Sequence, residues 1–233
     1  MLDLVFLNPA AHFNPTSLAI MFRPPLFAED RVDMMHDLIR HHPFGALVTH
    51  GPGGLNATQI PFFIVEVADG FGTLKGHLSK GNPHWKEIET CDECLVIFQG
   101  PHGYITPSWY PSKAITHEVV PTWNYATVHA WGRPVITQDT QAKHQLVSGL
   151  TDHMESPRAD RWQVTDAPDG FIQKQLNGIV GLEIVVTRME GKWKMSQNRT
   201  SEDRSGVLSG LSNPSDPHAD TALVQEMLQS PKR

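Results

Sequence analysis

VIFQGPHGYITPSWYPSKAITHEVVPTWNYATVHAWG, residues 96–132, is a long irregular segment held between two β-like runs. Leu95-Val96-Ile97-Phe98 stands at its front and Tyr125-Ala126-Thr127-Val128-His129-Ala130-Trp131 at its back. Gly100-Pro101, Pro107, Pro111 and Pro121 break regular structure between them. The segment carries Trp109, Tyr110 and Trp123, with His102, His117 and His129. Flat aromatics and uncharged hydrogen-bonding groups between strands suit the wall of a pocket for a flat ligand. The same composition suits an aromatic cap on the open end of a barrel. The ligand wall is the preferred reading, and both stay open at this point.

Composition narrows the function classes. The 233 residues suffice for one large or two modest domains, and a mean hydropathy of −0.30 is that of an ordinary globular chain. Net charge is −6, with 19 Lys and Arg against 25 Asp and Glu, so no nucleic-acid footprint shows in the composition. Thirteen histidines make the charge responsive near their ordinary titration range. The two cysteines form Cys91-Asp92-Glu93-Cys94. No second pair completes a zinc site, and the flanking acids raise rather than lower a thiol pKa, so ordinary thiols are expected. The absence of a disulfide framework suits the cytoplasm. No run of about twenty apolar residues predicts a transmembrane helix. The first 25 residues lack the basic start and continuous apolar core of a signal peptide.

Taken in order, residues 1–29 are proline-rich and aperiodic. Asp30 is read as the cap of a helix over Arg31–His42, with Val32, Met35, Leu38 and Ile39 on one face and Pro43 ending it. Residues 44–67 read as a hairpin turning at Gly51-Pro52-Gly53-Gly54. Pro61 inside the return strand signals a bulge or an edge, which exposes backbone N–H groups and makes Thr58-Gln59-Ile60-Pro61 a candidate site. A strand over Thr73–Leu78, which contains His77, runs into Ser79-Lys80-Gly81-Asn82-Pro83 and a helix over Pro83–Glu89. A hydroxyl, a lysine charge, a glycine and a helix start together have the chemistry of a phosphate cradle. Asp139–Met154 is an amphipathic helix, and a short helix is expected over Phe171–Leu176. Residues 179–196 read as a final hairpin turning at Met189-Glu190-Gly191. Gln197-Asn198-Arg199-Thr200 then gathers four polar groups. Beyond Ser205 the chain reads as a Gly/Ser/Pro/Asp-rich tail closed by a helix over Asp220–Leu228.

These residues carry a resemblance. PFGALVTHGPGGLNATQIPF (43–62), GHLSKGNPHW (76–85), FQGPHGYITPSWY (98–110), VPTWNYATVHAWG (120–132) and KMSQNRTSEDRSGV (194–207) resemble the PaiB family, the FMN-binding negative transcriptional regulators. The resemblance implies the FMN-binding split β-barrel, like that of pyridoxamine phosphate oxidases. It implies a mainly β fold of six strands with packed helices, and a homodimer with its pocket at the subunit interface. It begins at Met21-Phe22-Arg23-Pro24-Pro25, so residues 1–20 are expected to be an extension, 21–207 the barrel domain and 208–233 a tail. On this reading Ser79 and Lys80 hold the FMN phosphate. Thr58, Gln59 and Ile60 offer backbone and side-chain bonds to the isoalloxazine, His77 is a further cofactor-binding candidate, and Trp123, Asn124, Gln197, Asn198 and Arg199 close the pocket. Gln59 departs from the family pattern, where histidine is expected. The function implied is a cytoplasmic regulator acting indirectly. An FMN-dependent oxidoreductase and a haem-binding protein are the alternatives, and neither direct DNA binding nor a membrane is expected.

Overall fold

The computed structural model describes residues 21–230; the extension expected over residues 1–20 lies outside them. Eight strands form one sheet: β1 (Ala28–Glu29), β2 (Phe44–Gly51), β3 (Gly54–Pro61), β4 (Phe63–Val65), β5 (Thr73–Ser79), β6 (Cys94–Ile105), β7 (Thr122–Thr137) and β8 (Ile179–Lys194). Seven α-helices accompany them: α1 (Val32–His41), α2 (His84–Ile88), α3 (Lys113–Thr116), α4 (Thr140–Glu155), α5 (Asp169–Asn177), α6 (Ser201–Ser212) and α7 (Thr221–Gln229).

The strand order is β3-β2-β6-β7-β8-β5-β4, with β1 on β8. The two ends of that order are halves of one chain run. Residues 54–61 pair antiparallel with β2, in register from Gly54 with Gly51 to Pro61 with Phe44. The ladder breaks at Phe62, and residues 63–65 pair with β5, Phe63 opposite Lys75. One run thus changes partner and closes the sheet into a six-run barrel. Pro61 makes the break: it cannot donate to a ladder, so pairing ends where it stands. The N–H of Phe62 turns to the carbonyl of Pro43 at 2.8 Å. Before the break, β3 has β2 as its one ladder partner among the described residues and its other edge is unpaired among them, which is the split in the barrel.

The chain forms two compact units. One comprises Glu29–Gly100 and Thr127–Gly191. Its core is Leu47, Phe62, Leu74, Val96, Phe98, Val128, Leu182 and Ile184, all fully enclosed. Phe98 and Phe62 meet edge to face with centroids 5.9 Å apart. The other unit comprises, among the described residues, 21–28, Pro101–Ala126 and 192–230. Ile105, Tyr110, Met195, Val207, Leu211, Leu223 and Met227 are buried in it.

Several expectations change. Asp30 does not cap α1; Arg31 is the N-cap, and its N–H donates to the Glu29 carboxylate at 3.0 Å. No turn occurs at Met189-Glu190-Gly191. These residues lie inside the single 16-residue strand β8 and are buried, so the ladder overrides their local turn composition. The stretch read as the start of a tail is α6, capped at Thr200, whose hydroxyl accepts from the Asp203 N–H at 3.1 Å. Its glycines are a packing device. A Cβ on Gly206 would lie 2.0 Å from the Trp109 carbonyl, and one on Gly210 2.4 Å from the Trp109 ring. The Pro-Ser-Trp-Tyr motif therefore seats α6, and the Trp109 indole donates to Asp216 at 3.0 Å. In α4, Asp139 is the N-cap as its side chain accepts from Ala142 at 2.8 Å.

The candidate flavin site

The Ser79–Asn82 turn leaves the end of β5. Its backbone is held from three sides. The Lys80 N–H donates to Gly178 at 2.8 Å, the Asn82 N–H donates to the Ser79 carbonyl at 3.0 Å, and the Trp85 indole donates to the Lys80 carbonyl at 3.3 Å. Two donors that a phosphate would use are already taken. The Gly81 N–H reaches Ser79 Oγ at 3.1 Å, and the first N–H of α2, from His84, reaches Asn82 Oδ1 at 3.0 Å. What remains is the exposed Ser79 hydroxyl hydrogen and the exposed Lys80 ammonium, which has no ion-pair partner among the described residues. A buried lysine supports the turn from behind. Lys143 on α4 donates to the carbonyls of Leu176 at 2.7 Å and Ile179 at 3.4 Å, which bracket Asn177-Gly178. Burial pushes its pKa down, and the nearby Lys80 charge adds to that.

Thr58, on β3, is tied to this turn by Asn82, whose amide donates to Thr58 Oγ1 at 3.2 Å. Gln59 is exposed beside it, and Ile60 points inward and is buried. The structure thus brings two of the expected segments, 58–60 and 79–80, together. His77 on β5 is half-buried, its Nδ1 buried without a hydrogen-bond partner among the described residues, and burial pushes its pKa down. An orphaned ring nitrogen of this kind fits a bound ligand. His84 is not among the expected site residues. It is buried and contacts Thr58 through Nδ1 at 2.7 Å and Thr49 through Nε2 at 2.7 Å. Its His-x-x-Glu spacing to Glu87 is the signal that would have found it, since residues three apart share a helix face.

The remaining expected residues belong to the other compact unit, where most serve the fold. Asn124 is fully buried. Its amide donates to Ser196 Oγ at 2.9 Å, and its carbonyl accepts from the same hydroxyl at 3.3 Å. Gln197 spans the end of β8, accepting from the Met195 N–H at 2.6 Å and donating to the Trp193 carbonyl at 2.7 Å. Neither has a free end for a ligand. Asn198 is exposed, and Arg199 stacks on the Tyr110 ring at 4.6 Å. Trp123 is 46% exposed and donates to His102 Nδ1 at 3.3 Å, with the two rings stacked. It lines a groove of about 630 Å³ with Tyr104, His218 and Asp220. The cysteines are free, and burial pushes the Cys94 thiol up to about 12, far from thiolate chemistry. Among the described residues no helix is long and apolar enough to cross a membrane, and no cluster of His, Cys, Asp and Glu could hold a metal.

Comparison with known proteins bears on the family and the fold. The family described as "Putative FMN-binding domain" matches residues 21–188. Protease synthase and sporulation protein PAI 2 of Bacillus subtilis is 33% identical over 204 residues, covering 85% of this chain and 93% of that protein. An uncharacterised protein of Emericella nidulans is 34% identical over 228 residues, covering 83% and 91%. Among solved structures, the FAD and haem binding protein of Mycobacterium smegmatis superposes with a TM-score of 0.52 at 16% identity, covering 72% of this chain and 73% of that one, a likeness of fold. The match over residues 21–188, the identity to the Bacillus protein and the six-run split barrel together place the chain in the PaiB family of FMN-binding split-barrel proteins.

Proposed function

We propose that this chain holds FMN at the open edge of β3, with the phosphate at Ser79 and Lys80 and the isoalloxazine along Thr58, Gln59 and Ile60, within reach of His77. The observation that carries the reading is the Asn82–Thr58 hydrogen bond, which joins the phosphate-competent turn to the unpaired edge. In the homodimer that the family resemblance implies, Trp123, Asn198 and Arg199 of a second copy are the groups left to close the pocket. Asn124 and Gln197 are withdrawn from that role, because their own backbone and side-chain partners occupy them. Lys80→Ala is expected to weaken FMN about tenfold, the worth of a charge-assisted hydrogen bond at an exposed position. Flavin fluorescence titration reads this directly, and an unchanged dissociation constant removes Lys80 from the site. The visible spectrum of the purified protein separates flavin from the Soret band that the haem alternative requires.

The physiological role we propose is indirect regulation, the role that the resemblance to the PaiB regulators implies; the Bacillus relative is named for protease synthesis and sporulation. Net charge opposes direct DNA contact: one chain carries −6, and a dimer twice that, −12. Duplex binding needs several phosphate contacts and the counterions they release. A mobility shift at ~150 mM salt, with and without FMN, is therefore expected to show no specific complex at the concentrations where specific binders hold, about 10⁻⁸–10⁻¹¹ M. A competitor-resistant band at nanomolar protein would reverse the conclusion and make the chain a repressor in the literal sense.

A further inference from the structure

Four hydrogen bonds in series run behind the proposed flavin edge: Asn82 to Thr58, Thr58 to His84 Nδ1, His84 Nε2 to Thr49, and Thr49 to Glu87. Their directions can be deduced. An ionised carboxylate only accepts, so the Thr49 hydroxyl hydrogen goes to Glu87. That hydrogen bond, first among the causes, holds the Glu87 carboxyl below its ordinary range, and the Asn56 amide adds to it at 3.4 Å. Thr49 Oγ1 must then accept from His84, which fixes the imidazole hydrogen on Nε2. A neutral ring with Nε2–H has its lone pair on Nδ1, so the Thr58 hydroxyl donates to it. Thr58 also accepts from Asn82. One lone pair is left on Thr58 Oγ1, and no hydrogen.

We propose that His84 is the positioning residue that sets the hydrogen-bond polarity of Thr58, so that with a neutral imidazole Thr58 offers a ligand an acceptor only and selects an N–H group. This rests on the reading that Thr58 faces FMN. It deepens that reading, because an N–H edge of the pyrimidine type is taken at Thr58, while carbonyl and phosphate oxygens are not. Protonation reverses the polarity. The imidazolium donates from Nδ1 to Thr58 Oγ1, and the hydroxyl hydrogen turns outward.

The groups facing His84 are Thr49 on β2, Thr58 on β3, Asn82 in the turn and Glu87 on α2, of which Glu87, 4.0 Å away, alone is charged. His50 on β2 acts on Glu87 from nearby. Burial of His84 disfavours its cation more than Glu87 favours it, so the ring titrates below its ordinary range and is neutral at neutral pH.

Imidazole ¹H–¹⁵N spectra of the ¹⁵N-labelled full chain test the relay without any ligand. The expected result is an Nε2–H tautomer for His84 at pH 7.5 and a midpoint below about 6.5. Thr49→Val removes the acceptor for Nε2–H and should release the tautomer. Gly51→Ala supplies a second variant, since its Cβ would meet the Glu87 side chain at 2.8 Å and push the carboxylate off Thr49. An Nδ1–H tautomer in the wild type, or a tautomer unmoved in both variants, overturns the relay. FMN titration at pH 7.5 and at a pH one unit below the His84 midpoint found in the spectra then tests its use. Wild-type affinity should fall roughly tenfold at the lower pH, as the ring protonates and one hydrogen bond becomes a donor–donor clash. His84→Gln, which can donate and accept but not titrate, should flatten the profile. A steep profile retained in His84→Gln overturns the positioning role. Absence of FMN binding at both pH values refutes the flavin reading and with it the selection of the ring edge, whereas the spectra decide the relay separately.

Discussion

Phe98→Ala is expected to lower the unfolding free energy by about 3–5 kcal/mol, the usual cost of emptying a fully buried aromatic site. Phe98 has no exposed surface and lies edge-on to Phe62. Gly45, on the neighbouring strand, leaves the space that the ring fills: a Cβ there would come within 2.8 Å of Phe98 Cε1. The barrel wall is therefore shaped around this ring, and its neighbours belong to backbone ladders that cannot collapse into the void. Urea unfolding at pH 7.5 measures the loss as a shift in midpoint at constant slope. Phe98→Leu should recover more than half of it. A loss under about 1 kcal/mol, the scale of ordinary surface substitutions and mild swaps, would put the ring outside the core.

Gly206→Ala tests the opposition of two principles. A mid-helix glycine replaced by alanine should stabilise α6 by about 1 kcal/mol on propensity alone. Here the added methyl would meet the Trp109 carbonyl oxygen at 2.0 Å, and that oxygen belongs to backbone that cannot rotate away. Overpacking of this kind costs about 1–3 kcal/mol and occasionally more, and the severity of the contact places this variant at the upper end. The net expectation is destabilisation by about 2 kcal/mol after the propensity gain. Thermal unfolding gives the sign at once. A raised Tm would mean that α6 does not sit on the Pro-Ser-Trp-Tyr turn.

Much of this fold is written locally. The Gly51–Gly54 turn, the Pro61 break, α4 with its Asp139 cap and the Ser79–Asn82 turn are each announced by residues within a few positions of the feature. The failures share another cause. Met189-Glu190-Gly191 has a turn's composition, but these residues lie buried inside the single strand β8, which the sheet holds. The part of α6 beyond Ser205 looks like a tail because two glycines and two serines dilute its helical face. Those glycines make sense only beside Trp109, about a hundred residues earlier in the chain. At the candidate site, Asn124 and Gln197 read as ligand groups because an isolated sequence cannot distinguish a polar side chain offered to a ligand from one satisfying buried backbone. His84 went unseen for the complementary reason: its partners lie on two strands and a helix.

The run that changes partner at Phe62 also bears on how fast the protein can fold. Everything from β2 to β5 is assembled between near neighbours: the β2–β3 ladder closes over a two-residue turn, and β4 meets β5 across a short loop. These contacts form at little cost in chain entropy. The ring shuts only when β8 lies down on β5, and the nearest pair in that ladder, Ser79 with Ile179, is separated by 100 residues. High sequence separation of this sort slows the crossing of the folding barrier. Ser79 and Gly178, which hold the proposed phosphate turn, stand at that very seam. A nascent chain halted before residue 178 therefore carries Lys80 but not the Gly178 carbonyl that holds its backbone, and the proposed phosphate turn is expected to be complete only once β8 has paired with β5.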